Sequence, residues 1–169
     1  PAPANPATVL TYSNITDNSM QITGWTAPVG GANGYIVVMN TDNTFSTPTN
    51  GYNPTPSTAY GGSEQVIYNG TNASATVSVT GLSPVTTYYF AVFAYNDCGG
   101  SNTFETTGLI SSKSTTKLNQ TITFNAFTAK QYGDPDFAIS ASTGSGLPLT
   151  YSTSDNTVAV ELDGKIHIT

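Results

Sequence analysis

Apolar residues in this sequence recur mostly at every second position, in short runs separated by clusters of Gly, Pro, Asn and Asp. The segment 75–80 (ATVSVT) shows the alternation clearly, because Ala75, Val77 and Val79 fall on one face of an extended strand. No segment shows the spacing of an amphipathic helix. Many short strands, each followed by a turn signal, predict an all-β fold that is either a sandwich or a barrel.

The alternating runs predict two groups of strands. The first group comprises residues 8–12, 20–25, 34–39, 65–68, 75–80, 87–95 and 109–115, and the second comprises 121–124, 137–141, 149–152, 158–161 and 165–169. No fixed repeat relates the two groups, and Thr116-Lys117-Leu118 has the character of a linker. We therefore predict two domains, at 1–117 and 118–169, joined near Lys117.

Two segments of the first group are predicted to be irregular. Residues 40–62 contain the sequence TPTNGYNPTP and are too rich in proline for a central strand, so we expect a long loop there. Asn69-Gly70 is the dipeptide typical of a type I′ turn and predicts a tight turn after residue 68.

Residues 81–96 (GLSPVTTYYFAVFAYN) combine a turn with the longest predicted strand. Gly81 permits the turn, Leu82 can fill the core and Pro84 fixes φ. Tyr88 can then pack its ring inward and bond its hydroxyl to the backbone near the turn, as in the tyrosine corner of immunoglobulin-like sandwiches. In the strand, Tyr88, Phe90, Val92 and Ala94 would face one way, and Tyr89, Ala91, Phe93 and Tyr95 the other.

Residues from about 5 to 117 resemble a fibronectin type III domain. Three separated features carry the resemblance and occur in the right order: Trp25 near the end of the second strand, GYIVV at 34–38, and GLSPVTTY at 81–88. The resemblance implies that Trp25 is the core tryptophan and Tyr88 the corner tyrosine, with Leu82 and Pro84 as structural residues of the corner.

One departure from that family's pattern precedes the tryptophan. Met20 and Ile22 keep a period of two, but Trp25 follows after three residues. We expect a β-bulge at Thr23-Gly24 to return the Trp25 ring to the core.

The second segment is similar to bacterial immunoglobulin-like repeats, in its ITF at 122–124, YGD at 132–134 and SGLPLTY at 145–151. In that family the chain continues past the equivalent of 165–169 into further strands, so the resemblance implies an incomplete second sandwich. Such a sandwich exposes part of its core and an open strand edge. We expect weaker cover than in an ordinary core, or cover by a neighbouring chain, for Phe124, Phe137, Leu149, Val158 and Val160.

The overall chemistry indicates a secreted bacterial protein. TTYYFAVFAYNDCGG at 86–100 looks like the version common in large secreted bacterial surface proteins and polysaccharide-degrading enzymes, often exported by the type IX route. Cys98 is the only cysteine, so no intrachain disulfide can form, which is more typical of bacteria than of animal ectodomains. Charged residues make up only 8%, against the usual quarter, and Thr, Ser, Asn and Gly replace them.

The charge balance excludes two classes of partner. The formal net charge is −6, the four basic residues are all lysines and there is no arginine. A nucleic-acid binder needs a basic stripe for the phosphates, and an anionic membrane surface needs a basic patch. No stretch is long and apolar enough to insert into a membrane.

The sequence begins PAPANPATV without Met, which we interpret as a mature N-terminus or a piece of a longer polypeptide.

Catalytic chemistry is not supported by any constellation of residues. His167, the only histidine, lies between Ile166 and Ile168 and is expected at the surface, while Cys98 belongs to the other domain. The ten carboxylates are spread through loops without the facing pair that glycosidases need. One His and one Cys cannot build a zinc site, and no phosphate-binding Gly-rich loop precedes a helix. We predict no enzyme activity and no cofactor.

Two weaker hypotheses concern ligands. Asp134-Pro135-Asp136 is either turn chemistry or a Ca²⁺ site, because calcium takes carboxylate and carbonyl oxygens. Tyr52 and Tyr60 flank the Pro-rich loop and either pack on that loop or form a small platform for a sugar.

These observations predict a non-catalytic structural or adhesive segment, a stalk or adhesin repeat, of a large secreted protein at the bacterial cell surface. Rigid sandwiches in series would hold a terminal head away from the cell. The expected partners are neighbouring immunoglobulin-like and fibronectin domains of the same polypeptide, and a surface polysaccharide or protein ligand. One alternative is a spacer or carbohydrate-binding accessory module of a secreted polysaccharide-degrading enzyme. Another is a protein that docks or polymerises by strand addition to the second domain.

Overall fold

The computed structural model describes every residue from Pro1 to Thr169, and all its regular elements are strands. The chain divides into two compact units, Pro1–Lys117 and Leu118–Thr169. No helix that could span a lipid bilayer is present. The all-β class predicted from the alternation is confirmed.

The first unit is a sandwich of two antiparallel sheets. Its strands are β1 (Thr8–Ser13), β2 (Ser19–Thr26), β3 (Gly34–Asn40), β4 (Gln65–Gly70), β5 (Val77–Thr80), β6 (Thr87–Asp97), β7 (Asn102–Phe104) and β8 (Leu109–Ser114). One sheet has the order β1-β2-β5. The other has the order β4-β3-β6-β7, and β8 pairs with the first half of β6.

The main core lies between these sheets and uses alternate residues of β6, as predicted. Tyr88, Phe90, Val92 and Ala94 are buried in one cluster with residues of β2 and β5, such as Ile22 and Val79. Ala91, Phe93 and Tyr95 point the other way and are buried in a second cluster. Successive side chains of a strand alternate between its faces, so both faces of β6 carry apolar cores.

The second cluster makes the larger sheet unusual, because it lies on the face that points away from the sandwich. It contains Ile36, Val38 and Phe104, and Phe45 and Val66 pack against it. All residues of β3 are buried as a result. Phe45 belongs to the long loop 40–62, so this loop covers part of the outer face of the larger sheet. Both faces of β3 are therefore buried.

The predicted β-bulge before the tryptophan is present. Thr11 pairs with Gly24 and Tyr12 pairs with Ile22, so Thr23 is the extra residue on β2. Gly24 has φ +119, and a Cβ there would come within 2.9 Å of the Ala73 carbonyl oxygen. The bulge turns the Trp25 ring inward, where it is 6% exposed.

Several predicted boundaries in the first unit need correction. Asn69-Gly70 is not the turn, because both residues pair with β3 and extend β4. The strand predicted over 75–80 begins only at Val77. The short strand β7 was not predicted, since its three residues are too few to show a period.

The second unit contains five short strands in two small sheets. They are β9 (Ile122–Phe124), β10 (Phe137–Ala138), β11 (Ala141–Thr143), β12 (Ala159–Leu162) and β13 (Lys165–Ile168). The sheet orders are β10-β13-β12 and β11-β9. The strand predicted over 137–141 is divided between β10 and β11, and the strand predicted over 149–152 is absent.

Apolar side chains of the second unit are poorly covered, as predicted. Ile166 is its only buried residue. Phe124 is 57% exposed and Val158 58% exposed, and Phe137, Leu149 and Val160 are half-buried. Because its strands are short and its apolar side chains are little buried, the second unit gains little free energy from folding.

Candidate functional site

The corner at Gly81–Pro84 is held by the tyrosine named from the sequence. The Ser83 N–H donates a hydrogen bond of 2.8 Å to the Tyr88 hydroxyl oxygen. Tyr88 is 2% exposed and Leu82 5% exposed, so both side chains belong to the core. Pro84 is half-buried, and its carbonyl accepts the Thr86 hydroxyl at 3.0 Å. These contacts give Leu82, Pro84 and Tyr88 a structural role at the corner.

Thr115 is a second residue that stabilises the same corner through its side chain, and the sequence does not predict this role. Its side chain is buried, and its hydroxyl donates to the Ser83 carbonyl at 2.6 Å. The same hydroxyl accepts the Thr86 N–H at 3.0 Å. A single threonine after a strand carries no sequence signal of such a role, because its partners lie about thirty residues earlier.

Trp25 is the centre of an aromatic cluster in the core. Its ring meets the rings of Tyr35 and Tyr68 edge-on, each with a centroid distance of 5.3 Å. Such edge-to-face pairs add to the burial of apolar area. The Trp25 backbone N–H also donates to the Ala73 carbonyl at 2.9 Å. Trp25 is therefore placed for packing, not for stacking against a ligand at the surface.

Glu105 is a buried carboxylate that no sequence pattern distinguishes from the other acidic residues. It is 5% exposed. Its Oε2 accepts the N–H groups of Thr107 (2.8 Å) and Gly108 (2.9 Å), and its Oε1 accepts the Ala94 N–H (3.3 Å). Charge-assisted bonds of this kind are stronger than neutral ones. Glu105 thus fixes the turn between β7 and β8 and is not available to a substrate.

A groove of about 190 Å³ lies between the loop 40–62 and the larger sheet. We call it the Tyr52 groove. Val38 on β3 and Val66 on β4 contribute its sheet side. Its other lining residues are Ser46, Thr47, Pro48, Thr49, Tyr52 and Glu64. The groove therefore combines an apolar floor with an aromatic ring, hydroxyl groups and one carboxylate.

The backbone around Tyr52 is held firmly against β7. The Gly51 N–H donates to the Asn102 carbonyl at 2.7 Å, and the Asn102 side-chain amide donates to the Tyr52 carbonyl at 3.3 Å. The Phe104 N–H donates to the Asn50 side chain at 3.2 Å. These bonds place the Tyr52 ring, which is 42% exposed, at a defined position beside the groove.

The carboxylate of the groove is also positioned by the loop. The Ser46 N–H donates a 2.9 Å hydrogen bond to Oε2 of Glu64. The loop begins with a turn in which the Thr44 hydroxyl and N–H donate to Asp42 and lower the pKa of that carboxyl. Side-chain-to-backbone bonds of this kind define a loop without regular structure.

Tyr60 does not line the Tyr52 groove. Its ring packs edge-on against the Tyr88 ring with a centroid distance of 5.3 Å, and its hydroxyl is buried. Its N–H donates to the Thr80 carbonyl at 2.9 Å, next to an isolated bridge between Ala59 and Thr80. Tyr60 thus completes the core, and the structure does not bring it together with Tyr52 in one platform.

Cys98 and His167, the only cysteine and the only histidine, each contact a residue of their own unit. Cys98 is exposed in the turn before β7, where the nearby Thr103 hydroxyl, at 3.5 Å from Sγ, is the main cause that lowers its pKa. His167 on β13 contacts Asp136, with 2.7 Å between Nδ1 and Oδ1. Asp136 was not recognised as its partner because it lies about thirty residues earlier.

The two aspartates named for calcium use their carboxylates differently. Asp134 accepts the Gln131 N–H at 3.1 Å, which is a turn contact, and Asp136 pairs with His167. No group of three or more His, Cys, Asp or Glu side chains converges anywhere in the chain. The calcium site remains a prediction without a further ligand in the structure.

Comparison with known proteins places the first unit in a family. The sequence profile of the fibronectin type III domain matches residues 4–107. No curated protein matches the sequence significantly. Solved structures similar to this chain include a computationally redesigned β-sandwich protein, with 19% identity, 68% of this chain and 93% of that one covered, and a TM-score of 0.48. The solution structure of the fn3 domain of the human collagen α-1(XX) chain has 18% identity, covers 69% of this chain and 90% of that one, and has a TM-score of 0.44. The crystal structure of an FN3 domain of human collagen XX has 21% identity, covers 63% and 97%, and has a TM-score of 0.36.

Proposed function

We propose that this chain acts as a rigid, non-catalytic spacer in a large secreted protein of the bacterial cell surface. The chain belongs to the fibronectin type III family, and this is the premise of the proposal. The observation that carries the proposal is that the first and the last residues of the first unit lie at opposite ends of its sandwich. Both ends can be located along β6, the 11-residue strand in the middle of the larger sheet.

The beginning of the unit lies at one end of β6 and its last residues lie at the other. The Asn96 side chain donates to the Pro1 carbonyl at 3.0 Å, near the last residue of β6. The Val85 N–H donates to the Thr116 carbonyl at 3.2 Å, just before β6 begins. A strand rises about 3.3 Å per residue, so the two ends are separated by about 35 Å.

This geometry suits a module that transmits load and separates its neighbours. A pull on the two ends runs along the strands, so many hydrogen bonds between β1 and β2 and between β6 and β8 are loaded together. The buried second face of β3 adds packing that resists bending of the sheet. The neighbours would be further sandwich domains of the same polypeptide, with a polysaccharide or protein ligand at the far end.

Composition and resemblance support the proposed setting. The low content of charged residues, the abundance of Thr, Ser and Asn and the single cysteine fit a secreted bacterial protein. The similarity of the second unit to bacterial immunoglobulin-like repeats points to the same class. A secreted polysaccharide-degrading enzyme is the alternative parent, and the same spacer would there separate a catalytic domain from its anchor.

Single-molecule force spectroscopy tests the spacer role. When the full chain is pulled from its two ends, release of Pro1–Lys117 should add about 370 Å of contour length, from about 3.5 Å per residue less the folded separation. We expect this release at a markedly higher force than when the chain is pulled between Pro1 and Cys98. The bond from Asn96 places the segment before Cys98 close to Pro1. Pulling between Pro1 and Cys98 therefore separates the strands one hydrogen bond at a time.

Equal unfolding forces in the two pulling geometries would contradict a load-bearing role, because forced unfolding reports the barrier along the pulled direction. Cys98 is exposed and is the only cysteine, which makes it a native attachment point.

A peptide map of the native protein, read outward from Pro1 and Thr169, tests which kind of longer protein contains this chain. Flanking sandwich repeats support a surface stalk, and a flanking domain with paired carboxylates supports the enzyme alternative.

A further inference from the structure

We propose that the Tyr52 groove binds one ring of a saccharide, as an activity separate from the spacer role. The groove has a volume of about 190 Å³. Pockets for drug-sized ligands usually measure roughly 300–1,000 Å³, so this groove suits a smaller ligand or the terminal unit of a chain. Its lining matches the two chemically different sides of a sugar ring.

The apolar side of the groove fits the C–H face of a sugar. Half-buried Val66 supplies aliphatic surface from the sheet beside the buried Val38, and half-buried Pro48 adds more from the loop. The Tyr52 ring is 42% exposed, so part of its surface is available for contact. Aromatic rings bury a large area per side chain at low entropic cost, and this lets a few contacts bind a small ligand.

The polar side of the groove fits the hydroxyl groups of the same ring. One oxygen of Glu64 accepts the Ser46 N–H at 2.9 Å, which fixes the carboxylate and leaves its other oxygen able to accept hydroxyl donors. Hydrogen bonds to a carboxylate are charge-assisted and stronger than neutral ones. The side-chain hydroxyls of Ser46, Thr47 and Thr49 make no hydrogen bond within the protein and line the same space.

The groove is built before a ligand arrives. Hydrogen bonds from Gly51 and Asn102 hold the backbone on both sides of the Tyr52 ring. On the sheet side, the Ser57 N–H donates to the Val66 carbonyl at 2.9 Å and so ties the end of the loop to β4. A preformed site avoids the cost of ordering a loop on binding, which leaves more of the interaction energy as affinity.

Other classes of small ligand fit the lining less well. An anion would meet the Glu64 carboxylate, and no lysine lines the groove in a chain that has no arginine. A lysine-like cation could pair with Glu64 and lie against Tyr52. It would leave the three hydroxyl groups without a role, whereas a sugar ring uses the hydroxyls, the carboxylate and the aromatic surface together.

The test is an NMR titration of the isotope-labelled full chain with the methyl glycosides of glucose, galactose, mannose and N-acetylglucosamine. We expect at least one glycoside to shift the amide signals of Tyr52, Glu64 and Val66 with a Kd of about 1 mM, as suits a single ring in a shallow site. Tyr52→Ala and Glu64→Gln should each weaken binding by about tenfold, which corresponds to about 1.4 kcal/mol.

Matched variants separate binding from folding. Tyr52→Phe keeps the ring and should keep most of the affinity, and Glu64→Gln keeps an acceptor for the Ser46 N–H while removing the charge. Tyr132→Ala removes a tyrosine that is 83% exposed in the other unit and should change nothing. Each variant is accepted only if the remaining amide signals keep their dispersion.

Three results would overturn the saccharide site. The first is the absence of shifts with all four glycosides at concentrations well above 1 mM. The second is binding that Tyr52→Ala leaves unchanged, since the sugar would then lie elsewhere. The third is binding of Nα-acetyl-lysine methylamide in the groove without binding of any glycoside, which would assign the groove to cations. None of these results bears on the unfolding force, so the spacer role is tested separately.

Discussion

Removal of one hydroxyl group tests whether the tyrosine corner stabilises the first unit. In Tyr88→Phe the ring stays, and with it the edge-on contact to Tyr60 at 5.3 Å. Only the 2.8 Å hydrogen bond from the Ser83 N–H is lost. A hydrogen bond contributes about 0.5–1.5 kcal/mol net, and the loss rises to about 1–3 kcal/mol when the remaining partner is buried without an acceptor.

The surroundings of Ser83 place the expected effect between these limits. Tyr88 is 2% exposed, but Ser83 itself lies at the surface, so water can replace part of the lost bond. We expect a loss of about 1.5 kcal/mol in the free energy of unfolding. At about 2.1 cal/mol/K per residue, the unfolding entropy of a unit this size converts that loss to about 6 °C in Tm.

Urea unfolding followed by tryptophan fluorescence measures this loss. Trp25 is the only tryptophan and lies in the core of the first unit, so its signal reports that unit alone. The midpoint should fall while the slope of the free energy with urea stays unchanged. Tyr89→Phe is the matched control, because the neighbouring Tyr89 is half-buried and its hydroxyl makes no hydrogen bond. If Tyr88→Phe unfolds at the same urea concentration as Tyr89→Phe, the corner bond is not stabilising.

Three more substitutions test other parts of the first unit by the same fluorescence assay. Gly24→Ala should destabilise by about 1–3 kcal/mol, because φ is +119 and the new Cβ would lie 2.9 Å from the Ala73 oxygen; a wild-type midpoint would contradict the bulge. Glu105→Gln should cost about 2 kcal/mol, because an amide cannot accept all the backbone N–H groups bound by the carboxylate, and an unchanged midpoint would show that those bonds contribute little. Val85→Asn should stabilise by about 0.5–1 kcal/mol, because Val85 is 67% exposed and has φ 52, which a β-branched residue adopts at a cost; a lower midpoint would refute strain there.

Local patterns were sufficient for every strand of the first unit except β7 and for the two faces of β6. The alternation at Tyr88, Phe90 and Val92 predicts a buried face because the period of a strand is fixed by backbone geometry. The β-bulge could also be predicted, because Trp25 breaks the period by one residue. These features depend on residues close together in sequence, where the spacing alone identifies the face.

The Tyr52 groove and the second core cluster could not be predicted in this way. Phe45 lies in a Pro-rich loop without a period, yet it packs against the second core cluster, whose members are far apart in the chain. Tyr52 and Tyr60 look alike in the sequence, yet one is exposed beside a groove and the other packs on Tyr88. The difference depends on how the loop returns across the sheet.

The all-β class, every strand of the first unit except β7 and the buried face of β6 follow from the sequence alone, because backbone geometry converts a period of two into faces. Which polar side chains bind the backbone of the loops depends on the folded chain and not on a local pattern. Thr115 bonds to Ser83 and Thr86, which lie about thirty residues earlier. Glu105 joins its own turn to the Ala94 N–H of β6. The second unit shows the same limit, since Phe137 finds Ile166 across about thirty residues and no local pattern selects that pairing. The pairing of strands far apart in the chain depends on the energy of the whole fold. Strands of two to four residues are too short to show a period that would predict their partners.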